Sequence, residues 1–123
     1  MQYAKEEKQA YFKNLREQWK KSKELADQDE TAKALYRETG GKFSYTGFYF
    51  TLMQMRQLEL SGVPYVDAKT FKGWKESGFL VKRGEKSKIS GITWIDAHAD
   101  KDDEKLLYPK VYHLFHSSQV QPL

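Results

Sequence analysis

The chain has 123 residues, 39% of them apolar, a formal charge of +4 and no cysteine. That length supports one domain with one modest core, spanning residues 1–123. The missing thiols exclude a disulfide framework and a thiolate metal site, and no apolar run reaches the length of a membrane span.

The start, MQYAKEEKQAYF, has no apolar signal region, so the reading is a cytoplasmic protein with no membrane partner. Aromatics make up 15% of the chain, so much of the core is expected to be Phe, Tyr and Trp. Residues 3–26 read as an amphipathic helix, because Ala4, Tyr11, Phe12, Leu15, Trp19, Ser22 and Ala26 recur at helical steps. Its lysines project mostly elsewhere, as a solvated face does. Asp27 or Asp29 can cap a second helix over about 30–38 that buries Ala34 and Leu35, with Gly40-Gly41 as its stop. Residues 1–41 thus form a helical N-terminal part.

Ser44 or Thr46 can cap a third helix carrying Phe48, Tyr49, Leu52, Met53 and Met55. The β-branched and aromatic density near Phe48–Thr51 also permits a strand, but the length favours a helix that stops at Ser61-Gly62. Asp67 or Thr70 caps a short helix through Trp74 and Glu76, closed by Gly78. FLVK (79–82) and KISGITWI (88–95) read as two strands of a hairpin turning at Gly84. DAHADKDDEK (96–105) reads as an exposed acidic loop, YPKVYHLFH (108–116) as a last strand, and SSQVQPL as a frayed tail. Helices first and strands last predict an α+β domain: N-terminal helices on a small antiparallel sheet containing a basic hairpin.

Between Lys69 and Lys88 stand seven Lys/Arg against two acids. Phe71, Trp74, Phe79 and Trp94 are interleaved with or close after them. Ammonium and guanidinium groups hold phosphates, and flat rings stack on unpaired bases. The same pattern is also met by a solvated Lys face with its rings in the core. Enzyme signatures are scarce. No HExxH occurs, His113 and His116 alternate faces on a strand, and VKRGEKS lacks the spacing of a phosphate loop. A binding protein without cofactor or metal is therefore expected, not an enzyme.

The order of motifs resembles a known family. YTGFYFTLM at 45–53, TFKGWKESG at 70–78, VKRGEKS at 81–87, ISGITWI at 89–95 and KVYHLFHSSQV at 110–120 resemble, in order, the pattern of the N-terminal domain of ArdC-type antirestriction proteins. That domain binds single-stranded DNA and is found on plasmids, phages and other mobile elements. The resemblance covers residues 42–120. Two positions depart from the pattern: Tyr49 and His116 stand where the family carries Asn. Larger relatives also carry a metallopeptidase-like domain, so the resemblance implies the DNA-binding half alone.

The resulting expectation is a largely sequence-independent binder of single-stranded DNA, or alternatively RNA, serving transfer or replication of a mobile element. Lys42, Lys69, Lys72, Lys75, Lys82, Arg83, Lys86 and Lys88 are its candidate phosphate contacts. Tyr45, Tyr49, Phe71 and Trp74 are its candidate stacking rings, with Trp94 assigned to the core. The alternative, from another class, is an interaction module that docks a replication or defence protein through the basic hairpin and the N-terminal helix.

Overall fold

The computed structural model describes residues 5–41, 43–96 and 107–123. Lys42 and all but the first residue of the expected acidic loop lie outside them. Helix α1 (Lys5–Ala26) turns Phe12, Leu15, Trp19, Ser22 and Ala26 inward, while Tyr11 stays half exposed. Of the two aspartates that could cap the next helix, Asp29 does so: its Oδ1 accepts from the Ala32 N–H at 2.9 Å. Helix α2 (Glu30–Glu38) buries Ala32 and half-buries Leu35 and Tyr36; the expected Ala34 is exposed. The inward face continues from Asp29 in steps of three and four, which bypass position 34. Gly40, at φ +81°, follows the Thr39 cap in the left-handed conformation that closes helices.

Helix α3 (Tyr45–Gln57) starts at Ser44, whose Oγ accepts from the Gly47 N–H at 3.1 Å. It is the centre of the molecule. Phe48, Tyr49 and Leu52 pack on Ala26 and Ala32; Phe50 packs with Leu15 and Ile92; Met55 packs with Ala68, Ile89 and Leu114. A helix buried on several sides has no clean stripe, and for that reason its sequence also permits a strand. It ends before the expected Ser61-Gly62. Leu60 N–H donates to the Met55 carbonyl at 2.8 Å and Glu59 N–H to the Arg56 carbonyl at 3.1 Å. This is a Schellman closure with Glu59, φ 57°, in the left-handed place where glycine is usual.

Two small antiparallel sheets follow. In the first, β4 (Leu107–His116) lies between β1 (Ala68–Lys69) and β3 (Ile89–Asp96). In the second, β2 (Phe79–Val81) pairs with β5 (Val120–Pro122). The fold is α+β, as expected, but the basic hairpin is not formed. Its two strands belong to different sheets. β3 instead makes eight residue pairs with β4, including Ile89 with Leu114 and Ile92 with Val111, which join the core. Pairing with a three-residue strand would bury far less. The tail is not frayed either. Residues Ser117–Gln119 form a 3₁₀ turn, and the residues after it supply the partner of β2.

Close approaches lock the first sheet. Gly91 pairs with Tyr112, and a Cβ at Gly91 would stand 2.2 Å from the Tyr112 ring. Only glycine lets that ring cross the strand. On the opposite edge of β3, the Gln54 side chain accepts from the Ser90 N–H at 2.9 Å and donates to its carbonyl at 2.8 Å. One amide thus satisfies the edge as another strand would.

Asp29 also collects groups from α3. Arg56 Nη1 donates to its Oδ2 at 2.9 Å and the Tyr49 hydroxyl at 3.3 Å. The Ala32 N–H, and then Arg56, hold the carboxyl below its ordinary 3.8. A depressed carboxylate contributes stability that is full above the unfolded value and is lost as pH falls through the folded one. Asp29→Asn should therefore melt below the parent at pH 7, and the gap should shrink at pH values under 3.8. Melting curves across pH 2–7 check this; an offset that stays constant with pH would refute the carboxylate's role.

Candidate nucleic-acid interface

The connection 82–88 carries Lys82, Arg83, Lys86 and Lys88, all exposed. Gly84, at φ +85°, sits in a turn in which Glu85 N–H donates to the Lys82 carbonyl at 3.1 Å. Buried Gln119 holds both sides of this turn. Its carbonyl accepts from the Lys82 N–H at 2.8 Å, and its Nε2 donates to the Lys86 carbonyl at 2.6 Å. Ser87 Oγ donates to the Leu114 carbonyl at 2.7 Å. Lys82 Nζ reaches the Ser118 carbonyl at 3.3 Å. Among the described residues, no ion pair engages any of the four cations.

Helix α4 (Phe71–Glu76) is capped by Thr70, whose Oγ1 accepts from the Gly73 N–H at 3.0 Å. Lys72 and Lys75 are exposed on it. Lys72 lies 3.9 Å from Glu76, with both side chains largely in solvent, so the pair constrains little. Lys69, on β1, is half-buried. Its ammonium donates to Ser77 Oγ at 2.9 Å and lies 5.0 Å from the Trp74 ring centroid.

The expected stacking rings divide. Phe71 is half exposed, in a T-shaped contact with Phe115 at 6.4 Å between centroids, and remains available. Trp74 is not: it is buried, packs edge-on to Phe79 at 5.6 Å, and donates through Nε1 to the Phe115 carbonyl at 2.8 Å. Tyr49 is core as well, 4% exposed, with its hydroxyl on Asp29. Tyr45 is half-buried, and its hydroxyl donates to the Ala26 carbonyl at 2.6 Å, tying the end of α1 to the start of α3. Burial, and then Asp29, raise the pKa of both tyrosines above that of an ordinary phenol, so they stay neutral. Trp94 is packed edge-on against Trp19 at 5.5 Å, in the cluster of Leu15, Phe50 and Ile92.

His116, the second departure from the family pattern, is also structural. It is buried, and its Nδ1 accepts from the Ser118 N–H at 3.2 Å. A carbonyl can only accept, so Nε2 carries the proton and donates to the Ser61 carbonyl at 2.7 Å.

Three rings outside the expected set form a cleft. Phe43 stacks on Tyr65, with centroids 4.0 Å apart and planes 19° from parallel. The Tyr65 and Tyr112 hydroxyls meet at 2.6 Å. With Lys69, Thr70, Gly73 and Leu114 they line a cavity of about 320 Å³. Tyr65 adopts φ 66°, a strained conformation for an aromatic residue, and such outliers cluster at binding sites. Burial, and then the hydrogen bond to Tyr65, raise Tyr112 well above the ordinary phenol. The rings come from three separated stretches, so no spacing could announce them. One hint exists: the isolated Gly91 within a strand pattern signals a close crossing.

Fold and site together define a small α+β domain with a pinned cationic turn, without an acidic partner among the described residues, and a separate aromatic cleft flanked by a lysine. No family model, curated protein or solved structure matches the chain.

Proposed function

We propose that this chain is a single-stranded-DNA-binding protein of the ArdC N-terminal kind, with little sequence preference, working in the cytoplasm on behalf of a mobile element. The observation that carries this reading is the 82–88 turn, whose four cations face solvent without an acidic partner among the described residues. Lys72 and Lys75 extend the basic surface, and exposed Phe71 offers a flat face. Phosphates meet ammonium groups while bases meet rings, which is how sequence-tolerant single-strand binders work. No helix among the described residues is long and apolar enough to cross a membrane.

Stacking needs unpaired bases, so an oligonucleotide should outcompete its own annealed duplex for the protein. Competition by fluorescence anisotropy tests this, and equal affinity for the two forms would leave only generic electrostatics. The interaction-module reading keeps one observation, the half-exposed Tyr11 beside Phe12 on α1. An absence of any oligonucleotide binding would favour it.

A further inference from the structure

We infer that the cleft of Phe43, Tyr65 and Tyr112 takes one nucleobase of the bound strand, while Lys69 holds that nucleotide's phosphate. The inference rests on the proposed single-strand binding and adds a defined base site to it. Three observations support a base over other occupants.

The first is shape. Phe43 and Tyr65 are stacked near parallel, and Phe43 keeps 40% of its surface exposed. A flat partner can extend that stack, whereas an aliphatic side chain gains nothing from parallel planes. The cavity of about 320 Å³ is at the small end of ligand sites, suited to a single ring system.

The second is charge. Among the described residues Lys69 is the charged side chain of the lining, and no carboxylate shares it. Its ammonium has three hydrogens, of which Ser77 takes one. Tyr112 is held neutral, so it does not repel an anion. Lys72 and Lys75 follow on the next helix, both exposed.

The third is rigidity. The contact between the Tyr65 and Tyr112 hydroxyls uses one of their two hydrogens, leaving the second for a base edge. Tyr112 is fixed across Gly91, and Tyr65 is held at φ 66°. The platform therefore exists before any ligand arrives.

The test uses the full chain with two oligonucleotides of equal length, oligo-dT and one made of abasic units, read by anisotropy at fixed salt. Phe43→Leu keeps apolar cover over Tyr65 but removes the flat face. It should bind oligo-dT about tenfold more weakly than the parent, since one stacked base carries that order of affinity. Its affinity for the abasic strand should be unchanged, and Phe43→Trp should restore oligo-dT binding. Phe43→Leu binding oligo-dT like the parent, or losing both strands equally, would overturn the base site while leaving single-strand binding intact. A parent that binds neither strand would overturn both.

Discussion

Replacing Lys82, Arg83 and Lys86 together by Glu is expected to weaken single-stranded DNA binding by about a hundredfold near 0.1 M salt. Each phosphate contact on a single strand releases about 0.7 of a counterion, so three contacts account for roughly two decades in affinity at that salt. The slope of log K against log salt should flatten by about 2 for the same reason. The loss should be uniform across base compositions, because phosphates and not base edges are contacted. Stability should hardly move. All three side chains are exposed, and Gln119 grips the turn through the main chain of Lys82 and Lys86. Exposed substitutions usually shift stability by less than about 0.5 kcal/mol each. Should the variant bind as tightly as the parent, the turn is not the phosphate site, and the lysines of α1 become the next candidates.

The second large effect is on the fold. Trp74→Ala should cost about 3–5 kcal/mol, the usual range for truncating a buried aromatic. Trp74 is 5% exposed, meets Phe79 edge-on, and bonds the Phe115 carbonyl on β4. It is therefore the rivet between α4, the second sheet and the first. In a domain of this size the melting temperature should fall by roughly 10–20 °C. Trp74→Phe should fall less, retaining most of the burial but leaving a carbonyl without its donor. A Trp74→Ala protein that melts like the parent yet loses DNA binding would instead make Trp74 the stacking ring that its sequence context suggests.

Much of the fold was legible because its signals are local. Asp29, Ser44 and Thr70 each cap a helix through a hydrogen bond spanning three residues, and such short-range chemistry is written in the spacing. Strand partners are a different matter. Phe79–Val81 and Ile89–Asp96 were readable as strands, but a period of two says nothing about the neighbour. The turn at Gly84 looks like a hairpin until the longer ladder to β4 and the tail strand are weighed against it. The site was legible only in its charges. A ring that stacks on a base and a ring that fills a core have the same letter. Tyr49 is assigned by Asp29, twenty residues earlier, and Trp74 by a carbonyl at Phe115. The strained turn at Tyr65 carries no local mark at all, since the residue that usually announces a positive φ is glycine.

The order of the strands along the chain has a consequence for synthesis. Among the described residues every ladder ends on β4 or β5: β1 and β3 both need Leu107–His116, and β2 needs Val120–Pro122. During translation the helices can form as they emerge, but β1 and β3 cannot find their partner until Leu107–His116 has left the ribosome, nor β2 until Val120–Pro122 has. Until then Phe79, Leu80, Ile89 and Ile92 travel unpaired, with the exposure to off-pathway association that such segments carry. Helix α3 offers them partial cover, because Phe50 and Met55 belong to the clusters that Ile92 and Ile89 later complete. The pairing of β4 and β5 thus completes the two sheets, and the basic turn reaches its fixed form only when Gln119 arrives to hold it.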